Sequence, residues 1–309
     1  MDNGVAIADV KSEVDVMSAG NPAQSALIPL ADLPPDPELV IKPSSGWAAV
    51  NLREVWQFRD LLFTLAGRDL KLRYKQTALG VVWVVFQPLM AAGVFTVVFG
   101  KVAKLPSDGV PYFLFSFVGQ LGWNLFSNTV TKASGCLVGN SQLISKVFFP
   151  RLVLPLSTLP STLVDFAVAA AMMVVLMFAF HWGPGVIPLL LLPLWMAILI
   201  AMSVGIGLVT SALTVSYRDV QYILPVFLQI AMYASPVAYA VSAIHDPWVK
   251  IFYTMNPLTP VLEGFRWSLL NTAPPTWPLV GYSAAIAVIL LIAGAFSFKR
   301  MERRFADVV

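Results

Sequence analysis

Runs of about 20 residues almost free of charge set the tightest limit on this chain, because that is the length a helix needs to cross a hydrocarbon core of about 30 Å. They recur between residues 79 and 298 and are separated by short polar or proline-rich stretches. An outer-membrane barrel would instead show strands of about ten residues with alternating polarity, and these runs are too long and continuous for that. Composition points the same way: 58% of residues are hydrophobic and 12% charged, against roughly 45–50% and 25% in soluble domains. The expected fold is an all-α integral membrane protein.

Six spans are expected, at about 79–100, 111–131, 152–180, 186–212, 221–240 and 279–298, which places both termini on one side. Sixteen of the twenty Lys and Arg residues fall on that side, leaving only Lys101, Lys104, Lys250 and Arg266 opposite. The positive-inside rule then puts both termini in the cytoplasm. Basic residues are thereby explained by topology, so the net charge of +3 carries no nucleic-acid inference. Residues 1–45 mix charges with Pro22, Pro29, Pro34, Pro35, Pro37 and Pro43 and read as a disordered cytoplasmic tail without the apolar run of a secretion signal.

Between residues 46 and 78, Leu61, Leu62, Leu65, Leu70 and Leu72 alternate with Arg59, Asp60, Arg68, Asp69, Lys71, Arg73 and Lys75. Too charged to span, this segment is expected to form an amphipathic interface helix at about 59–75. The stretch 241–278 holds six prolines among Trp248, Phe252, Tyr253, Phe265, Trp267 and Trp277. It is too apolar for a solvated loop and too broken for a span, which predicts short re-entrant or interfacial helices between spans five and six. The two halves do not repeat, which argues against a secondary transporter built from inverted repeats.

Chemistry-bearing groups are few. The only Gly-Lys pair, Gly100-Lys101, has Phe95 where a phosphate-cradling loop needs its first glycine and Val102 where it needs Ser or Thr. No cofactor is expected in this chain. The single Cys136 allows no intramolecular disulfide, and His181 and His245 are too far apart in sequence to suggest a metal site. Asp165 is the only acid inside an expected span, roughly 20 Å along the helix from Arg151. It reads either as a group facing a conduit or another subunit, or as a structural partner for a hydroxyl on a neighbouring span. One isolated acid makes a poor proton pathway.

The inward loop after span two includes Gly139, Asn140, Ser141, Gln142, Leu143, Ile144, Ser145, Lys146, Val147, Phe148, Phe149 and Pro150. A short helix with a polar start and an apolar end suits docking into a groove of a cytoplasmic partner, and it also suits a plain connector.

Several ordered motifs then carry a family resemblance. They are Arg68-Asp69-Leu70-Lys71-Leu72-Arg73-Tyr74-Lys75 leading to Gly80, Trp83 and Gln87-Pro88-Leu89; Lys146-Val147-Phe148-Phe149-Pro150-Arg151; and Tyr217-Arg218-Asp219-Val220. Tyr233-Ala234-Ser235-Pro236, Asn256-Pro257-Leu258-Thr259-Pro260 with Glu263-Gly264-Phe265-Arg266-Trp267, and the end from Glu302 to Val308 complete the set. Over about residues 50–309 the chain resembles permeases of polysaccharide-exporting ABC transporters, which move O-antigen, capsule or teichoic-acid chains on lipid carriers. The resemblance implies a bacterial inner-membrane homodimer bound to two copies of a nucleotide-binding ATPase, which would bind the ATP and Mg. It also implies a coupling helix at about 139–149, carrying Asn140, Ser141, Gln142, Leu143, Ile144, Lys146, Val147 and Phe148, and an external gate within 241–278.

The cargo's chemistry suggests further candidates. A sliding sugar chain needs many weak stacking contacts, which Trp83, Phe86, Phe115, Trp123, Phe126, Tyr233 and Tyr239 are placed to offer, although aromatic residues at span ends also form interfacial belts. Arg68, Lys71, Arg73 and Lys75 suit a lipid diphosphate or anionic phospholipid. Glu263 and Arg266, at i and i+3, are expected to pair on a short outer helix. The competing functions are export of small lipids or drugs by the same class of permease, and secondary transport. A membrane enzyme acting on lipid-linked sugars would need a cluster of acids or histidines at one membrane face, and the sequence offers none.

Overall fold

The computed structural model of the protein describes residues 52–75, 80–244 and 246–302; the expected tail at 1–45 and the chain from 303 onward lie outside the described residues. Twelve α-helices and no strand occur among them. In chain order they are α1 (Leu52–Gln57), α2 (Arg59–Lys75), α3 (Gly80–Phe95), α4 (Tyr112–Gly139), α5 (Ser141–Lys146) and α6 (Val153–Ala179). Then come α7 (Val186–Leu190), α8 (Leu192–Ser216), α9 (Val220–Tyr233), α10 (Pro247–Met255), α11 (Thr259–Leu270) and α12 (Trp277–Glu302).

Four stretches are long and apolar enough to cross a membrane: Val82–Val102, Val153–Ala179, Val186–Ser216 and Trp277–Glu302. The first is α3 continued by a π-helix over Thr96–Val102, and the third joins α7 to α8. At 28 residues, α4 is about 42 Å long, but Gln120, Asn124, Asn128 and Lys132 dilute its hydropathy. Its position accounts for this, because α4 packs against α3, α6, α8 and α11 and so is shielded from lipid on most sides. At 14 residues, α9 is only about 21 Å long. It stops at Tyr233, short of the expected boundary at 240, because Pro236 cannot donate into a continuing helix.

Two helix crossings rest on small residues. A Cβ on Gly294 of α12 would lie 2.2 Å from the Gly205 carbonyl oxygen of α8, so these backbones touch only because both positions are glycine. Gly207 of α8 sits likewise against Ala133 of α4. Close approach through small residues is how helices associate where lipid removes the hydrophobic drive between them. Leu114, Phe117, Trp195, Leu199, Met202 and Phe265 fill the main core. A second cluster gathers Leu65 of α2, Leu137 of α4, Phe149, Val153, Leu208 of α8 and Phe298 of α12. Helix α2 thus packs on one end of the bundle, with Leu65 and Ala66 inward and Phe63 and Leu72 exposed, as is Lys71.

Candidate functional site

At the α2 end, Asn140 forms the joint between α4 and α5. Its backbone carbonyl accepts from the Leu143 and Ile144 N–H groups and starts α5. Its side-chain amide donates to the Cys136 carbonyl at 2.8 Å, satisfying one of the carbonyls a helix end leaves open. Its Oδ1 accepts from Arg68 of α2 at 2.7 Å. One asparagine therefore ties three helices together. Arg68 also pairs with Asp69 at 3.0 Å, so its guanidinium is already engaged within the protein. Lys71 projects outward, while the side chains of Arg73 and Lys75 lie outside the described residues.

The expected helix at 139–149 is shorter than its motif. It ends at Lys146, and Val147 is extended (φ −128, ψ 133). Extended backbone sends successive side chains to opposite faces, so Phe149 is buried at 6% exposure while Phe148 stands 98% exposed. Leu143 and Ile144 lean on the cluster around Leu65; Gln142 and Lys146 face outward. Beside them a groove of about 410 Å³ is lined by Phe58, Val147, Phe148, Arg151, Lys299 and Glu302, among others. Its far wall is fixed by Arg151 donating to the Glu302 carbonyl at 2.7 Å and by the Lys299–Glu302 ion pair at 2.7 Å. Arg151 played no such part in the sequence reading.

Mid-bundle, Asp165 of α6 is not isolated. Lys132 Nζ lies 2.8 Å from its Oδ2 and 3.1 Å from Ser161 Oγ. Lys132 was expected in the loop after span two. Because α4 runs on to Gly139, the lysine sits inside a helix and faces a carboxylate that is 5% exposed. Pairing is what makes a buried charge tolerable.

The α11 end is built around the irregular segment after α9, whose carbonyls lack helical partners. Tyr239 and Tyr253 hydroxyls donate to the Tyr233 carbonyl at 2.8 and 3.2 Å. Asn256 Nδ2 donates to the Ala234 carbonyl at 3.1 Å and to Ser235 Oγ at 2.9 Å. Arg266 donates to the Pro236 and Val237 carbonyls at 2.5 and 2.9 Å, and the Tyr112 hydroxyl donates to the Ala238 carbonyl. Arg266 is buried at 3% exposure and lies 3.9 Å above the Phe115 ring, a cation–π contact worth about 2 kcal/mol when desolvated.

No Glu263–Arg266 ion pair of the expected kind occurs among the described residues: Arg266 Nη2 donates to the Pro236 and Val237 carbonyls, Nε is buried without a partner, and Glu263 acts on the guanidinium only through its nearby charge. Burial lowers the Arg266 pKa to about 10, with Glu263 opposing the shift; burial also raises the Glu263 pKa, opposed by Arg266. Gly119 of α4 makes the arrangement possible, since a Cβ there would meet the Val237 carbonyl oxygen at 2.1 Å. Tyr112, Ser235 and Asn256 also escaped the sequence reading as working residues, although Ser235-Pro236 and Asn256-Pro257 mark where helices must stop.

The aromatic candidates divide. Trp83 and Phe86 stack at 5.5 Å and are 59% and 43% exposed, as Tyr233 is at 52%. Tyr239 is half-buried. Phe115, Trp123 and Phe126 are buried in the core, where they offer no open stacking surface. They lie on α4, whose central position turns its large side chains inward.

Apolar helices long enough to cross a bilayer define the class as a multi-pass membrane protein. The family model for ABC-2 type transporters matches residues 60–270, and the chain belongs to that family. It is 29% identical over 260 residues to the O-antigen export system permease protein RfbA of Myxococcus xanthus, covering 84% of this chain and 98% of that one. The Klebsiella pneumoniae protein of the same name is 26% identical over 250 residues, 81% of this chain and 95% of that one. The polysialic acid transport protein KpsM of Escherichia coli is 22% identical over 240 residues, 76% of this chain and 91% of that one.

Proposed function

We propose that this protein is the permease subunit of an ABC exporter that carries lipid-linked polysaccharide, an O-antigen in the first instance, across the bacterial inner membrane. The observation that carries the reading is the similarity to O-antigen export permeases over 84% of the chain. In this reading α3, α4, α6, the joined α7–α8, α9 and α12 are six spans with both termini cytoplasmic. Two copies form the conduit, and two copies of a separate ATPase hydrolyse the nucleotide.

The geometry supports specific roles. Phe148 and Val147 enter a cleft of the ATPase, and closure of that cleft on ATP pushes α5. Because Asn140 bonds both α4 and Arg68 of α2, the push is delivered to two helices together rather than absorbed in a loop. Rigid-body movement of packed helices is the usual way such strokes propagate. Trp83, Phe86, Tyr233 and Tyr239 offer stacking surface to sugar rings. We assign the carrier's diphosphate to the basic set Arg68, Lys71, Arg73 and Lys75 at the cytoplasmic surface, and closure of the external side to α10 and α11. Within that set Lys71 projects outward and Arg68 also holds Asn140.

Deletion in the native host tests the reading. Glycan is expected to accumulate inside the cell and to return to the surface when the chain is restored together with a functional partner ATPase. Normal surface glycan in the deletion strain, or transport by the purified chain alone, would overturn it.

A further inference from the structure

Between α3, α4 and α6 lies a cavity of about 70 Å³ whose walls include Gln87, Asn124, Asn128, Thr162 and Asp165. Asn124 and Asn128 are one turn apart on α4 and therefore share a face. None of the three carboxamides makes a hydrogen bond among the described residues. Pro88, also on the wall, has no N–H to give to the Val84 carbonyl one turn back. Gln87 is exposed and Asn124 and Asn128 are half-buried, so the cavity is open and presents unengaged donors and acceptors to a polar occupant.

Charge narrows the occupant's chemistry. Asp165 is balanced by Lys132 at 2.8 Å, so an ion entering would find no net opposite charge. Carboxamides both donate and accept, which matches hydroxyls, groups that do the same. At 10–15 Å³ per small polar group, the cavity has room for about five hydroxyl-sized groups. That is the edge of a sugar ring and not the whole ring. The ring itself has a platform nearby: Trp83 lies one turn before Gln87 on α3, is stacked on Phe86 and is exposed. Water alone would need the amides but not the aromatic pair.

We propose that this cavity and the adjacent Trp83–Phe86 stack form a binding subsite for one neutral sugar unit of the cargo, with ring faces on the aromatics and hydroxyls on Gln87, Asn124 and Asn128. The inference rests on the polysaccharide reading above and adds to it a recognition site inside the bundle.

Cysteine accessibility tests it. In a Cys136→Ala background, Val84→Cys, a wall position to which no sugar contact is assigned, is alkylated with iodoacetamide, a small neutral reagent, in inverted membrane vesicles. The vesicles come from host cells that make the glycan and from cells lacking its first glycosyltransferase. Alkylation is expected to be about tenfold slower where glycan is present, the protection given when cargo stands at about ten times its Kd for the subsite. Equal rates mean a crevice that holds only water, and no alkylation in either vesicle means a sealed structural cavity; both overturn the proposal. An Asn124→Leu/Asn128→Leu double variant, with assembly and thermal midpoint checked, should lower surface glycan by a similar factor, and unchanged export would overturn the proposal too. The Cys136→Ala parent separates the two readings. If it fails to restore surface glycan to a deletion strain that the wild-type chain also leaves bare, the polysaccharide reading has failed; if it restores export and the rates are equal, only the subsite has.

Discussion

The two ends of the bundle handle irregular backbone in different ways. At the α11 end, five carbonyls released by the termination of α9 are all taken up by side chains from elsewhere in the fold: Tyr112, Tyr239, Tyr253, Asn256 and Arg266. At the α2 end, the chain leaves Phe148 98% exposed beside an open groove. At the first end these carbonyls are satisfied within one chain, while Thr259 Oγ1 and Arg266 Nε stay buried without partners and Trp248 and Met255 of α10 stand exposed. The second has the form of a surface that another protein completes, and the contrast separates residues that hold the fold from residues that use it.

The largest expected effect is at the closed end. Arg266→Met leaves two buried carbonyls without donors, and at about 1–3 kcal/mol for each unsatisfied group the loss should be about 4 kcal/mol in denaturant unfolding of the detergent-solubilised protein. Arg266→Lys keeps the charge but loses the flat guanidinium over the Phe115 ring, and should lie between that variant and the wild type. If both variants unfold like the wild type, the closed end is not held by this residue. Gly119→Ala, which pushes a methyl group into the Val237 carbonyl, should cost about 2 kcal/mol by the same assay.

The open end should respond differently. Arg68→Ala removes the bond to Asn140 and is expected to cost about 1 kcal/mol, yet to weaken the link between ATP hydrolysis and export, read as ATP consumed per glycan delivered. A stability loss with unchanged coupling would make Arg68 a plain structural tie. Phe148→Ser touches nothing inside the chain, and its unfolding midpoint should stay within about 0.5 kcal/mol of wild type.

Legibility in the sequence followed the same division. The apolar runs at 152–180, 186–212 and 279–298 stand out because lipid-facing helices must be apolar along their length. A helix that reaches Gly139 does not stand out, because the apolar run ends near 131 and the polar stretch from Lys132 reads as a loop, although α4, surrounded by other helices, continues through it. That hid Lys132 as the partner of Asp165. It also made Phe115, Trp123 and Phe126 look like conduit residues, since a sequence shows that an aromatic lies near a span end but not which way a central helix turns it. Arg266 was read against Glu263 because their spacing is local. Its actual acceptors lie about 30 residues away, and Ser235-Pro236 announces a helix end without saying which side chain satisfies it. The segment 139–149 stood out as one block, and it took the extended backbone at Val147 to distinguish buried Phe149 from exposed Phe148.

The central claim is that force enters this chain through the Val147–Phe148 segment from a partner ATPase. Affinity purification of the tagged chain from its native host, as wild type and as Phe148→Asp, tests it most directly. An ATPase should co-purify with the wild type and be lost from the variant, which should remain folded and membrane-inserted. An undiminished ATPase signal and normal surface glycan in Phe148→Asp would contradict the account.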